Sequence, residues 1–268
     1  MIIATAQMKI EYSNVEKNLK KIKEMTEKAH KSNSDIICFP EDCLGIINKE
    51  TAALAQRIPG KYTDEFSKLA EEFGIYMVAG SVCEKDGDDF YNTSVLIGPD
   101  GKIIGKYRKI HLWDYEKQYL KPGNKISVFN TKLGKIGLEI CWDLAFPEQA
   151  KQMAMRGAEV IFCPSFWSLE DNPLIKTKYK FDTESMFIDA CVASRAWENE
   201  IVFVFANSCG RFVEKNKMIH PVGHTQIAIP FYGTVGKISN REGILIKEID
   251  KSVLKEAEKV YRIKEDSK

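Results

Sequence analysis

Residues 135–157 read KIGLEICWDLAFPEQAKQMAMRG. A short apolar run ends at Cys141, a polar break follows, and a helical pattern begins with Pro147 near its start, where a missing N–H costs nothing. A strand that passes through a sharp turn into a helix is an α/β signature. The next apolar run, 158–166 (AEVIFCPSF), repeats the theme. Working outward, residues 15–31 (VEKNLKKIKEMTEKAHK) carry Val15, Leu19, Ile22 and Met25 at helical spacing and lead into IICFPED at 36–42. Residues 62–73 lead into IYMVAGSVC, and 184–198 into IVFVFANSCG. Between these units lie strand pairs with turn signals: DGDD before YNTSVLIG, PDGK before IIGKYRKIHL, and LGK before IGLEIC. Helix–strand alternation implies parallel crossovers and the pairs imply antiparallel neighbours, so the expectation is a mixed β-sheet core covered by helices. Runs such as VIFCPSF lack clean alternation, which suits strands buried on both faces. The charged stretch after Asp250 reads as a surface helix, free to fray or to dock on a partner.

The chain has 268 residues, 44% of them hydrophobic, enough for a substantial core. Lys plus Arg total 39 and Asp plus Glu 38, a formal net charge of +1. That balance gives no electrostatic footprint for nucleic acid or an anionic membrane. No apolar run approaches the roughly 20 residues that cross a bilayer. MIIATAQMKI reads as a first strand, not a signal peptide. Seven cysteines, several inside apolar runs (Cys38, Cys163, Cys191), show neither metal-finger spacing nor disulfide density. The expectation is a reducing, cytoplasmic compartment. No Pro/Gly/Ser-rich linker divides the chain, so residues 1–268 are expected to form one domain.

Three residues are the main candidates for chemistry. Cys141, at a strand-to-helix turn, is placed for exposure at the sheet edge, with a helix N-terminus that favours the thiolate and a backbone N–H at Trp142 that can face an oxyanion. Glu41 follows a buried strand and Pro40, at the C-terminal edge where α/β sites form, and can act as a general base. Its neighbour Asp42 is the weaker candidate, because its side chain should point elsewhere. Alternation puts Tyr107, Lys109 and His111 on the face opposite to Lys106, Arg108 and Ile110. An ammonium at Lys109 can lower a thiol pKa or stabilise an oxyanion. Each residue alone also has a plain structural reading: a core cysteine, a capping acid, an edge-strand lysine.

Together they resemble the triad of the nitrilase superfamily, the carbon–nitrogen hydrolases. FPED at 39–42, YRKIHL at 107–112 and CWDLAFPE at 141–148 match that family's three motifs in order, and AQM, ANSCG and GILIKEID extend the likeness over nearly the whole chain. The resemblance implies a four-layer α-β-β-α sandwich with two mixed β-sheets, a homodimer or larger homo-oligomer, and neither metal nor organic cofactor. It implies that Glu41 takes the proton of Cys141, that Lys109 supports the tetrahedral intermediate, and that water hydrolyses the thioester after ammonia or an amine leaves. A second glutamate of the family matches Glu116, in HLWDYEKQYLKPG.

Other residues weigh less. Trp142, Phe166 and Trp167 are candidates for the substrate pocket wall, with packing a comparable explanation. His111 is a candidate for a Cys–His dyad. Glu139 should share a strand face with Cys141, and a buried ion pair would explain it as well. Where many amidases and carbamoylases of the family carry an arginine four residues after the cysteine, this chain has Ala145, which points to substrates without a carboxylate near the scissile group. The long segment 168–185 is read as a lid, a pocket rim or a surface excursion. The function expected is hydrolysis of a small amide or carbamoyl compound. The alternatives are a nitrilase, a non-catalytic scaffold member of the family, or an unrelated flavodoxin-like or Cys–His hydrolase fold.

Overall fold

The computed structural model describes residues 1–12, 14–45, 47, 54–171, 182–214 and 217–267. Two sheets form its centre. In the first, β1 (Ile2–Gln7), β2 (Ile36–Cys38) and β3 (Tyr76–Val78) run parallel. The antiparallel β15 (Gly243–Glu248) closes the β1 edge. On the other side, β5 (Asp89–Ile97) pairs with β3, β4 (Val82–Asp86) and β6 (Ile103–Arg108). The second sheet has the order β14–β13–β10–β9–β8–β7. Its parallel centre is β8 (Gly134–Leu138), β9 (Val160–Ser165) and β10 (Val202–Asn207), flanked by β7 (Ser127–Thr131), β13 (Gln226–Ile229) and β14 (Gly233–Lys237). A small ribbon, β11 (Phe212–Glu214) with β12 (Lys217–Ile219), stands apart.

Residue alternation assigns the layers. Ile3, Ile36, Cys38 and Val78 point from the first sheet into a core shared with Leu138, Phe162 and Val204 of the second. Ala4, Ala6, Ile37 and Met77 point the other way, onto α1 (Val15–Lys31) and α2 (Lys61–Phe73). The outer face of the second sheet is covered by α3 (Pro147–Met155) and α4 (Thr183–Glu198), through Ala150, Met153, Ile188 and Val192. The result is the expected α-β-β-α sandwich. Helix α1 follows its sequence pattern: Asn14 caps it by accepting from the Lys17 N–H at 2.9 Å, and Ile22, Met25 and Ala29 are its buried stripe. The charged tail docks on the body of the chain itself. In α5 (Ser252–Val260), Val253, Leu254 and Ala257 are buried, while α6 (Ile263–Asp266) buries none of its residues.

The ends of the central strands create the site. Pro40 cannot donate to a ladder, and β2 stops at Cys38. Gly80, at φ +62°, lets the turn after β3 press against it, since a Cβ there would collide with the Pro40 carbonyl. Strand β8 stops at Leu138, and Cys141 takes φ +47°, a left-handed conformation that a residue with a Cβ rarely adopts.

Candidate active site

Cys141 begins a 3-10 turn (Cys141–Ala145) between β8 and α3. Asp143 ties that turn: its Oδ2 accepts from the Ile140 N–H at 2.9 Å, as a capping carboxylate does. The same carboxylate fastens the turn to the lysine strand. Oδ2 also accepts from the Tyr107 hydroxyl at 2.6 Å, and Oδ1 accepts from the His111 N–H at 2.9 Å and lies 2.8 Å from its Nδ1. Tyr107 and His111 flank Lys109 in sequence, so Asp143 locks thiol and ammonium together. His111 also stacks on Phe146, with ring centroids 3.6 Å apart. The imidazole thus serves Asp143, and no histidine pairs with Cys141 among the described residues.

Lys109 is only 2% exposed, and its Nζ lies 2.8 Å from Glu41 Oε1 and 2.8 Å from Glu116 Oε2. Asn92 on β5 spans the same two carboxylates, donating to Glu41 Oε1 at 2.7 Å and to Glu116 Oε1 at 2.9 Å. Glu41 Oε2 accepts from the Phe166 N–H at 2.8 Å, and Glu116 Oε2 from the Trp113 N–H at 2.6 Å. The Cys141 thiol lies close enough to the Glu41 carboxylate and the Phe166 N–H for both to shift its proton affinity. Glu41, Lys109, Glu116 and Cys141 therefore meet at one point.

Burial governs the proton positions. It pushes the Cys141 thiol well up, the neighbouring Glu41 pushes it further, and Lys109 only partly opposes this. The helix N-terminus favours the thiolate, but burial, and then Glu41, outweigh it. Glu41 is itself raised, first by burial and then by Glu116, against Lys109. Burial works against the Lys109 charge, but Glu116, Glu41 and Cys141 outweigh it and hold the ammonium firmly protonated. A neutral thiol beside a basic carboxylate and a fixed cation can add to a carbonyl or nitrile carbon as its proton moves to Glu41.

The pocket above the thiol is lined by Glu41, Asp42, Lys109, Trp113, Tyr115, Glu116, Cys141, Trp142, Phe166 and Trp167, around a cavity of about 20 Å³. That is room for about one water. Trp142, Phe166 and Trp167 are thus wall residues as well as packing. Trp142 meets Trp113 edge-on at 4.4 Å and Trp167 at 5.5 Å, and the Trp167 Nε1 donates to Glu184 at 2.6 Å. Clefts elsewhere are larger, such as one of about 640 Å³ beside Lys251 and Glu258, but that one holds no cysteine. No group of three metal-ligating side chains occurs among the described residues.

Several residues escaped the sequence reading. Asn92 lies in a strand with no motif of its own, and an amide side chain between Tyr91 and Thr93 in a paired strand is its only local signal. Asp143 was legible only as part of a motif. Asp42 was expected to point away, yet it lines the pocket, because its φ of +58° breaks strand alternation. Glu139 stays out of the pocket. It is fully buried, neither carboxyl oxygen has a partner among the described residues, and burial, then Asp143, push it up to about 8. Among the described residues Glu139 forms no ion pair, the alternative explanation for it, and Arg195 donates instead to the Leu144 carbonyl and to Glu198. Ala145 and Arg211 do not line the pocket, and Arg108 points outward to Glu84 and Asp86, so Lys109 is its one cation among the described residues. Residues 172–181 of the segment read as a lid or rim lie outside the described residues.

The carbon–nitrogen hydrolase family matches residues 2–259. This chain belongs to that family and is a carbon–nitrogen hydrolase, a cysteine enzyme of the nitrilase superfamily. Among its relatives, the omega-amidase NIT2-B of Xenopus laevis is 30% identical over 89% of this chain and 85% of its own. A nitrilase of Pyrococcus abyssi is 32% identical over 92% and 89%. A carbon–nitrogen hydrolase structure from Helicobacter pylori superimposes with TM-score 0.86 at 25% identity, over 99% of this chain and 94% of its own.

Proposed function

We propose that the protein, read as one hydrolase domain, is an amidase that cleaves a small amide or carbamoyl compound through a thioester on Cys141. The observation that carries this is Lys109 Nζ, 2.8 Å from both Glu41 and Glu116, on the same cavity wall as the Cys141 thiol. The thiol proton passes to Glu41 as Sγ adds to the carbonyl carbon. Lys109 and the Trp142 N–H hold the oxyanion. Glu41 returns the proton to the departing nitrogen, and ammonia or an amine leaves. Glu41 then takes a proton from water, which attacks the thioester, releases the carboxylate and restores the thiol. Glu116 keeps Lys109 charged and aimed. Its partners, Asn92 and the Trp113 N–H, keep it in place.

A nitrilase reading has its own support in the Pyrococcus abyssi relative. The test is ammonia release from a panel of amides, carbamoyl compounds and nitriles, with Cys141→Ala as control. Amides should react fastest, and exclusive turnover of nitriles would overturn the amidase reading.

The surroundings of the enzyme belong to the same proposal. Seven free cysteines support a reducing cytoplasm, and no described helix is long and apolar enough to cross a membrane. Exposed Tyr232, Val260 and Tyr261, beside the ring cluster of Trp197, Phe231 and Tyr261, support an interface between copies of the chain. Sedimentation should show a dimer or larger species, and Val260→Asp should shift it toward monomer.

A further inference from the structure

The pocket wall contains three carboxyl groups, those of Glu41, Asp42 and Glu116. Five of their six oxygens have donors in the protein. Glu41 and Glu116 are satisfied by Lys109, Asn92 and the backbone N–H groups of Phe166 and Trp113. Asp42 Oδ2 accepts from the Ile47 N–H at 3.1 Å. The sixth oxygen, Asp42 Oδ1, is buried with no partner among the described residues. Asp42 as a whole is 5% exposed and lines the cavity, on a left-handed backbone that Asp and Asn tolerate best. A buried polar atom without a partner is costly, and such an exception calls for a ligand or an ion.

The rest of the wall indicates which ligand. The catalytic assembly offers Asp42 no cation, because Lys109 is engaged by Glu41 and Glu116. A wall with more carboxyls than cations disfavours a second anion. Three tryptophans, Phe166 and the rim residue Tyr115 line the rest beside Cys141, and aromatic faces attract an ammonium as a carboxylate does. We propose that Asp42 is a specificity residue that binds a primary ammonium carried by the substrate, so that the preferred substrates are short amides with an amine at the far end. This rests on the amidase reading for its substrate class, and on the pocket alone for its binding partner. Burial, and then Glu41, push the Asp42 carboxyl well up, an effect that a cation bound beside it opposes. The small cavity requires the aromatic walls to part for such a substrate.

Two measurements test this separately. In the first, binding of n-propylammonium, 1-propanol and propionate to Cys141→Ala protein is measured by NMR titration. Propylammonium should bind about tenfold or more tighter than either other probe, the scale of one charge-assisted hydrogen bond. Adding Asp42→Asn, which keeps the backbone conformation available, should erase that preference. In the second, kcat/KM is compared for matched short amides ending in ammonium, methyl or carboxylate. The ammonium-to-methyl ratio should exceed about ten and fall toward one in Asp42→Asn, chiefly through KM. Equal binding of the three probes by Cys141→Ala protein, or preference for propionate, overturns the proposal even if Asp42→Asn fails to fold. Selective amine binding without hydrolysis of any amide would refute the amidase reading and leave the role of Asp42 standing. Hydrolysis of all three amides at equal rates would do the reverse.

Discussion

Replacing Lys109 by alanine removes the centre of the assembly, and the structure sets the scale of the loss. The ammonium is 2% exposed and makes contacts of 2.8 Å to two carboxylates. Removing one member of a buried ion pair typically costs about 3–5 kcal/mol, because the remaining charge is left unpaired. Here Glu41 and Glu116, both bound to Asn92, can share a proton, which softens the cost to about 3 kcal/mol. That corresponds to a fall in Tm of about 6–12 °C for a chain of this size, with the fold retained. Catalysis should suffer more. Loss of one oxyanion donor typically costs about 10²–10³ in rate, and Glu41 would rest protonated and unable to take the thiol proton. Acylation, read by rapid quench and mass spectrometry beside a thermal melt, should drop at least a hundredfold. Lys109→Arg should not restore it, since a planar guanidinium cannot occupy a site shaped for a compact ammonium. Acylation within tenfold of wild type in Lys109→Ala, or full rescue by arginine, would refute this account of the site.

Two further outcomes follow from neighbouring carboxylates. Glu139 is pushed up to about 8, so between about pH 4.5 and 8 the unfolded chain releases this proton while the native state keeps it, and stability falls as pH rises. Glu139→Gln should therefore unfold at higher urea than wild type at pH 8, by about 4 kcal/mol, with a difference below about 1 kcal/mol at pH 5. Parallel pH dependence of the two proteins would show that Glu139 is not the cause. Asp143→Asn should lower kcat about a hundredfold with a smaller change in KM, because the thiol turn loses its tie to Tyr107 and His111 and the reacting groups are misplaced. A change confined to KM would contradict that positioning role.

How far the sequence was legible depended on the range of each interaction. Helix α1 was visible because Val15, Leu19, Ile22 and Met25 repeat at the period of one buried stripe, a local property. The motifs around Glu41, Lys109 and Cys141 are visible because each strand-end turn carries its own signature residues. What stayed hidden was set by contacts across the chain. The closure of β1 by β15 pairs Ile2 with Glu248, which no local pattern encodes. Asn92 acts by reaching two carboxylates that lie 51 and 24 residues away. The direction of Asp42 depended on a backbone torsion that alternation could not foresee, and the protonation of Cys141 on burial that only the assembled sandwich imposes.

The most direct test of the central claim is the mass of the enzyme during turnover. Wild-type protein mixed with a hydrolysed amide, quenched in acid and digested, should carry one acyl group on the peptide containing Cys141, and Cys141→Ala protein should carry none and release no ammonia. An acyl group on any of the other six cysteines, or continued ammonia release by Cys141→Ala, would contradict the account.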